Sequence, residues 1–308
     1  MDSVKVFSPG SVTNVSCGYD ILGFCLDNVG DTITVTKTPE KGIKISSIDK
    51  YDLPTDIDKN VAGIAAQAMI DEVKIDHGID IKIEKGIKPG SGIGSSAASA
   101  TGAVYGINKL IGTPFKRKEL IKFALEGEKY ASKAEHADNI APALLGGFSL
   151  VRSNKTVDVI KLPNPEKLYA TILHQEIELK TSHARSILKK SIPLNDVVRQ
   201  SGNLAALISA LYTNNYDLIS KSLKDYIIEP YRSKLIPEFD LLKKTALNYG
   251  ALGSGIAGSG PSIFALSKGR EIAENVGQEM KKIVSKLPIK HKVYISKINQ
   301  KGVKVIWY

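Results

Sequence analysis

The chain has 308 residues, 43% of them hydrophobic and 24% charged, which is enough length for two domains and a sizeable core. No apolar run approaches the roughly 18 residues of a membrane span, and the opening MDSVKVFSPGS has neither the basic nor the apolar region of a signal peptide. The formal charge of +10 invites a nucleic-acid partner, but eight lysines without an acid between Lys281 and Lys304 alternate with apolar residues as on a solvated face, and aromatics are only 6%.

The elements follow in order. Alternating patterns predict strands at Val4–Ser8, Thr32–Lys37, Ile43–Ser47 and Ile79–Glu84, and helical spacing predicts helices at Asn60–Val73, Ser95–Ile111 and Lys116–Lys133. Strands at Gly147–Val151 and Thr156–Leu162 lead to LPNPEK, residues 162–167, a turn-rich joint that divides the chain into domains of 1–165 and 166–308. Beyond it come a strand at Leu168–His174 and helices near Ser182–Lys189, Leu194–Asn214, Tyr216–Lys224 and Leu235–Tyr249, the last closed by Gly250 at a C-cap position. Strands at Ser262–Ser267 and Lys292–Lys297 flank a helix at Glu271–Lys286, and Val303–Trp307 predicts a last strand. The class is α+β. Cys17 and Cys25 form neither a disulfide framework nor a zinc pattern, which suits a reducing cytoplasm.

Two glycine-rich stretches carry chemistry. PGSGIGSSAAS, residues 89–99, runs straight into a predicted helix. A loop of small residues at a helix N-terminus offers unpaired backbone N–H groups to an anion, and serine hydroxyls there can cap the helix or ligate Mg2+. It lacks the lysine of a Walker A loop, and Gly90, Gly92 and Gly94 do not fit a dinucleotide fingerprint. On these residues alone, a serine-capped loop without a ligand is an equal reading. GSGIAG, residues 253–258, matches G-x-G-x-x-G, but a predicted strand rather than a helix follows it, so it reads as a glycine-rich turn bringing backbone near a ligand.

Taken together, the motifs resemble those of the GHMP small-molecule kinases, and of the homoserine kinases among them. PGSGIGSSAAS is similar to the phosphate-binding P-x-x-x-G-L-G-S-S-A-A, with Ile93 in the usual Leu position. SVTNVSCGYDILGFCLD, residues 11–27, resembles A-N-L-G-P-G-F-D-x-L-G, with Ser16 and Cys17 replacing the usual Gly-Pro. EKYASKAEHADNIAPALLGGF, residues 128–148, is similar to H-x-D-N-V-A-P-A-L-x-G-G, and residues 253–266 resemble the third family motif, G-x-S-G-S-G-P-S/T. The resemblance spans nearly the whole chain. It implies an N-terminal domain like ribosomal protein S5 domain 2, a ferredoxin-like C-terminal domain, and an active site in the cleft between them.

It also implies roles. ATP phosphates would lie along Pro89, Gly90, Ser91, Gly92, Ile93, Gly94, Ser95 and Ser96 and against Gly258, Ser259 and Gly260, with Ser96 and Glu128 facing Mg2+. Asn60 would lie near the adenine, or simply cap its helix. For homoserine, a zwitterion with a hydroxyl, the matching contacts are Asn14, Asp20, His136, Asp138 and Asn139, with Arg185 and Arg232 for the carboxylate; each arginine could instead be a surface ion pair. His136 reads as orienting its loop rather than as catalytic. At the catalytic position Asn139 is expected to position the acceptor hydroxyl, with Asp138 as the rival general base. The expected reaction is ATP-dependent phosphorylation of L-homoserine in threonine biosynthesis, by a cytoplasmic homodimer without nucleic-acid or membrane partners. The alternatives are a sibling kinase for mevalonate, a sugar or shikimate, or a non-catalytic binding module on the same fold.

Overall fold

The structure, a computed structural model, describes residues 2–132 and 136–308. It opens with two long strands, β1 (Ser3–Val15) and β2 (Gly18–Thr38), paired antiparallel from Ser3↔Thr36 to Val15↔Gly18. Only their outer halves show alternating burial; from Ser8 to Thr13 every residue of β1 is buried. Continuous burial leaves no period-two signal. The sequence pattern therefore marked 4–8 and 32–37 and missed the inner part of the hairpin.

Next come β3 (Ile43–Ile48), α1 (Val61–Ile70), β4 (Gly78–Glu84), α2 (Ser95–Leu110) and α3 (Leu120–Ser132). The predicted end of the third helix at Lys133 lies outside the described residues, as do residues 133–135 of the EKYASKAEHADN motif. The small residues of α2 (Ala97, Ala100 and Ala103 among them) are fully buried and let it nest against β1, β2, α1 and α3.

A short helix, α4 (Ala137–Leu145), was not expected. Pro142 lies inside it and cannot donate to the carbonyl of Asp138, a break that hides the helix from propensity arguments. Then β5 (Phe148–Ser153) pairs β2, and β6 (Asp158–Leu162) pairs β5. The first sheet has seven strands, in the order β11-β1-β2-β4-β3 with β5 and β6 beside β2, where β11 (Lys304–Trp307) comes from the other end of the sequence.

The second sheet begins after the 162–167 turn with β7 (Leu168–Gln175). Helices α5 (Thr181–Ser186), α6 (Leu194–Thr213), α7 (Tyr216–Ser222), α8 (Glu229–Arg232) and α9 (Phe239–Asn248) follow, then β8 (Ala251–Ile256), β9 (Ile263–Lys268), α10 (Arg270–Val284) and β10 (His291–Lys297). The all-antiparallel order β10-β7-β9-β8 is that of a ferredoxin-like sheet. Much of the segment read as a glycine-rich turn is strand β8; the turn proper is confined to residues 257–262. The strand spends glycine where Leu223 and the Phe264 ring press against its backbone.

The halves share a core. Phe24 of β2 meets Phe148 of β5 at 5.1 Å between centroids and Phe264 of β9 edge-on at 6.2 Å. Such pairs contribute about 0.5–1.5 kcal/mol each beyond their buried area. Val12, Ile93, Ile172 and Leu207 join the same cluster, so the hairpin, the loop before α2 and the second sheet are packed as one.

Candidate active site

The loop before α2 turns through three positive-φ glycines, Gly90, Gly92 and Gly94. Gly94 is the N-cap residue at φ +70, and a Cβ there would run into Ser11 Oγ and stand 2.9 Å from Asn139 Oδ1. At Gly92 a Cβ would meet the carbonyl oxygens of Gly260 at 2.5 Å and Ala257 at 2.8 Å. Glycine is thus required where the loop touches both the third motif and the HADN segment. Ser11 N–H donates to Ile93 O at 3.2 Å, and Ser262 Oγ donates to Ser91 O at 2.6 Å, so both halves anchor the loop.

The loop borders a cavity of about 370 Å³, lined also by residues of β1, α3, α4, α5 and α8. Pro89, Gly90, Ser91, Gly92, Gly94, Ser95, Ser96, Gly258 and Ser259 all line it. Ile93 does not: its side chain is in the core. Nor does Gly260, which backs Gly92. Asn60 also lies off the wall. Its Oδ1 caps α1 through Ala62 N at 2.9 Å and Gly63 N at 3.4 Å, and its Nδ2 donates to Pro54 O at 2.7 Å, while its neighbour Val61 reaches the cavity.

Beneath the first turn of α2, Ser96 Oγ donates to Glu128 Oε2 at 2.8 Å. Burial pushes the Glu128 carboxyl up to about 7, with the Ser96 hydrogen bond pulling the other way. A divalent cation would reverse that penalty, and two hard oxygens suit Mg2+, whose shell phosphate oxygens and water would complete. No cluster of three or more His, Cys, Asp or Glu side chains fit to hold a metal occurs among the described residues.

Asn139 is held from β1: Ser11 Oγ donates to its Oδ1 at 2.7 Å, and its Nδ2 donates to Thr13 Oγ1 at 3.4 Å. Asp138 is 3% exposed and accepts from Asn139 N at 3.1 Å. Burial, then the nearby charges of Asp20 and Glu128, push it up to about 7.

At the other end, Arg185 holds Asp20 and also donates to His136 Nε2 at 2.9 Å. Burial opposes the Arg185 charge, but the attraction of Asp20 outweighs it and raises the pKa. Burial pushes His136 below its ordinary value, keeping it neutral. Arg232, 2% exposed, also faces this end of the cavity. Asn14, at φ +56, donates to Gly258 O at 2.6 Å and accepts from Asp20 N at 2.8 Å, so it ties the N-terminal motif to the third motif.

Profiles of the GHMP kinases N terminal domain and the GHMP kinases C terminal region match residues 60–147 and 207–286. A homoserine kinase of Chlorobium phaeobacteroides is 42% identical over 99% of this chain and 100% of its own length. The chain belongs to the homoserine kinases of the GHMP kinase family. A second relative in that family, the homoserine kinase of Methanococcus maripaludis, is 40% identical over 91% of this chain and 93% of its own. The crystal structure of homoserine kinase from Cytophaga hutchinsonii superposes with a TM-score of 0.96 at 49% identity, covering 99% of this chain and 98% of that one. The mevalonate kinase of L. major, at 16% identity and a TM-score of 0.72 over 96% of each chain, shares the fold alone.

Sequence reasoning passed over several residues that this family fold brings to the site. Lys85 lines the cavity at 2% exposure, pairs with Asp31, and donates to Ser99 Oγ at 2.9 Å and Ser95 O at 3.1 Å. Thr13 and Thr181 also line it, and Thr181 Oγ1 lies 3.2 Å from Ser259 Oγ. None belongs to a local motif. A lysine in IKIEKGIK reads as a solvated strand residue, and its reason to be buried, Asp31 from a distant part of β2 with Ser95 O and Ser99 of α2, is not visible locally.

Proposed function

We propose that the protein transfers the γ-phosphoryl group of ATP to the hydroxyl of L-homoserine, forming O-phospho-L-homoserine for threonine biosynthesis. The observation that carries the acceptor is the pairing of signs at one end of the cavity. Arg185 and Arg232 stand beside Asp20 and Asp138, a lining suited to a ligand with both a carboxylate and an ammonium. Mevalonate, sugars and shikimate lack the ammonium.

In this reading the first turn of α2 and the glycine loop hold the ATP phosphates, and Gly258 and Ser259 close over them. Ser96 and Glu128 would hold Mg2+, whose charge would offset that of the phosphates. Phosphoryl transfer proceeds through a loose transition state, so alignment and charge neutralisation do most of the work. Asn139 orients the acceptor hydroxyl; with its Oδ1 engaged by Ser11, what it offers is an N–H donor rather than a base. Asp138 admits a second role, because a carboxyl pushed up to about 7 is matched to taking a proton near neutrality. The arriving ammonium, however, supplies the cation that burial denies it and lowers its pKa, which favours Asp138 as an ammonium contact beside Asp20. Asp138→Asn then keeps kcat and raises the homoserine KM; a collapse of kcat at saturating homoserine would make it the base.

The same reading divides the chain near residue 165 and gives a cytoplasmic homodimer. Leu194, Val197 and Val198, exposed along one face of α6, are the natural candidates for a dimer surface, which sedimentation can check. The decisive test of function is ADP release with ATP and Mg2+ against L-homoserine, mevalonate, galactose and shikimate, with Arg232→Ala alongside. Turnover is expected with homoserine alone, and the variant raises its KM roughly 10- to 100-fold for a lost charge-assisted contact. Turnover with another acceptor instead would replace the substrate, and silence across the panel with ATP bound would favour a binding module.

A further inference from the structure

A guanidinium as buried as that of Arg232 keeps its direction only through the acceptors around it. Its Nε donates to Ala184 O at 3.0 Å, its Nη1 to Gly258 O at 3.2 Å and its Nη2 to the phenol oxygen of Tyr19 at 3.2 Å. Of the five N–H groups of an arginine, this leaves one on each terminal nitrogen for a carboxylate. The two backbone acceptors come from α5 and the third-motif turn; the third is a side chain, from the start of β2.

Tyr19 has a second contact with this end of the cavity. Arg232 Cζ lies 4.9 Å from its ring centroid and Arg185 Cζ lies 5.8 Å from it, so one aromatic ring faces both cations. Two neighbouring guanidinium groups repel, and burial, reinforced by Arg185, disfavours the charge on Arg232 while Tyr19 and Asp20 favour it. Tyr19 itself is not part of the cavity wall. Whatever it does for a ligand, it does through the arginines.

We infer that Tyr19 is the positioning residue for the carboxylate end of the acceptor site: its hydroxyl sets the rotation of Arg232, and its ring holds the two arginines side by side. It thereby makes a carboxylate a condition of tight acceptor binding. The inference rests on the proposed reading of L-homoserine as the acceptor.

Tyr19→Phe removes the oxygen and keeps the ring. With ATP saturating, the homoserine KM rises about 3- to 10-fold, the size of one lost hydrogen bond, while kcat and the ATP KM stay unchanged. Tyr19→Leu, which also removes the ring, enlarges the same effect. An unchanged homoserine KM in Tyr19→Phe overturns the inference. So does an equal rise in both KM values, or a fall in kcat at constant KM, since a merely structural role would act that way. If the unsubstituted protein fails to turn over homoserine, the substrate reading falls first and this inference with it.

Discussion

Arg185 holds Asp20 in a two-pronged ion pair, Nη1 to Oδ2 and Nη2 to Oδ1, both at 3.1 Å. The groups expected to receive the two charges of an amino acid are therefore paired with each other. A zwitterion offers Asp20 an ammonium and Arg185 a carboxylate, so the same two side chains can exchange one partner for another of equal sign.

Asp20→Asn tests that exchange. An exposed or half-exposed ion pair contributes no more than about 1 kcal/mol to stability, so the melting temperature should hardly move. The homoserine KM should rise by roughly tenfold, about 1.4 kcal/mol of binding, with kcat within about a factor of two. Steady-state kinetics beside a thermal melt separate the two effects.

The two raised carboxyls make stability depend on pH. Glu128 and Asp138 ionise near 4 in an unfolded chain but near 7 in the folded one, chiefly through burial. Between those values the folded protein holds more protons, so their contribution is fully present below about pH 4 and is lost as the pH rises through about 7. The melting temperature of the ligand-free protein should fall between about pH 5 and pH 8. Glu128→Gln should flatten that fall. The same variant should lose at least about tenfold in Mg2+-dependent activity, since it removes an anionic ligand. Calorimetry across pH, with the activity assay, checks both signs.

Ser262 should matter to ATP alone. Its only proton goes to Ser91 O, so its partner at 3.1 Å, His174 Nδ1, must be the protonated nitrogen of that ring. Burial pushes His174 down to about 4, so the ring is neutral at working pH and the link does not titrate there. Ser262→Ala strands the Ser91 carbonyl, in the glycine loop before α2, and the buried ring N–H of His174, on β7, at about 1–3 kcal/mol. The expected result is a several-fold higher ATP KM with the homoserine KM within about a factor of two.

The sequence was most legible where local pattern and local structure coincide. Helix α2 begins at Ser95, and Gly94 and Gly92 take positive φ, because the glycine loop and the run of small residues behind it encode a turn, a cap and a buried helix together. Asn60 carried two readings from sequence, and its amide is seen capping α1. The acceptor end was legible only by resemblance, since Asp20, Asp138, Arg185 and Arg232 are spread over both halves of the chain. What stayed hidden depends on long-range geometry. Lys85 is buried by Asp31, Asn139 is oriented by Ser11 and Thr13, and the inner hairpin shows no alternation because both its faces are covered.

The first sheet borrows its outer strand from the far end of the sequence: β11 pairs β1 through Lys5↔Trp307 and Val6↔Val305. The hairpin that carries Ser11, Thr13 and Asn14 has one edge, at Lys5–Phe7, that stays uncovered until residues 304–307 pair with it. An uncovered edge is an invitation to pair with another chain. Removing residues 304–307 would therefore leave the edge at Lys5–Phe7 open to a second chain and favour aggregation.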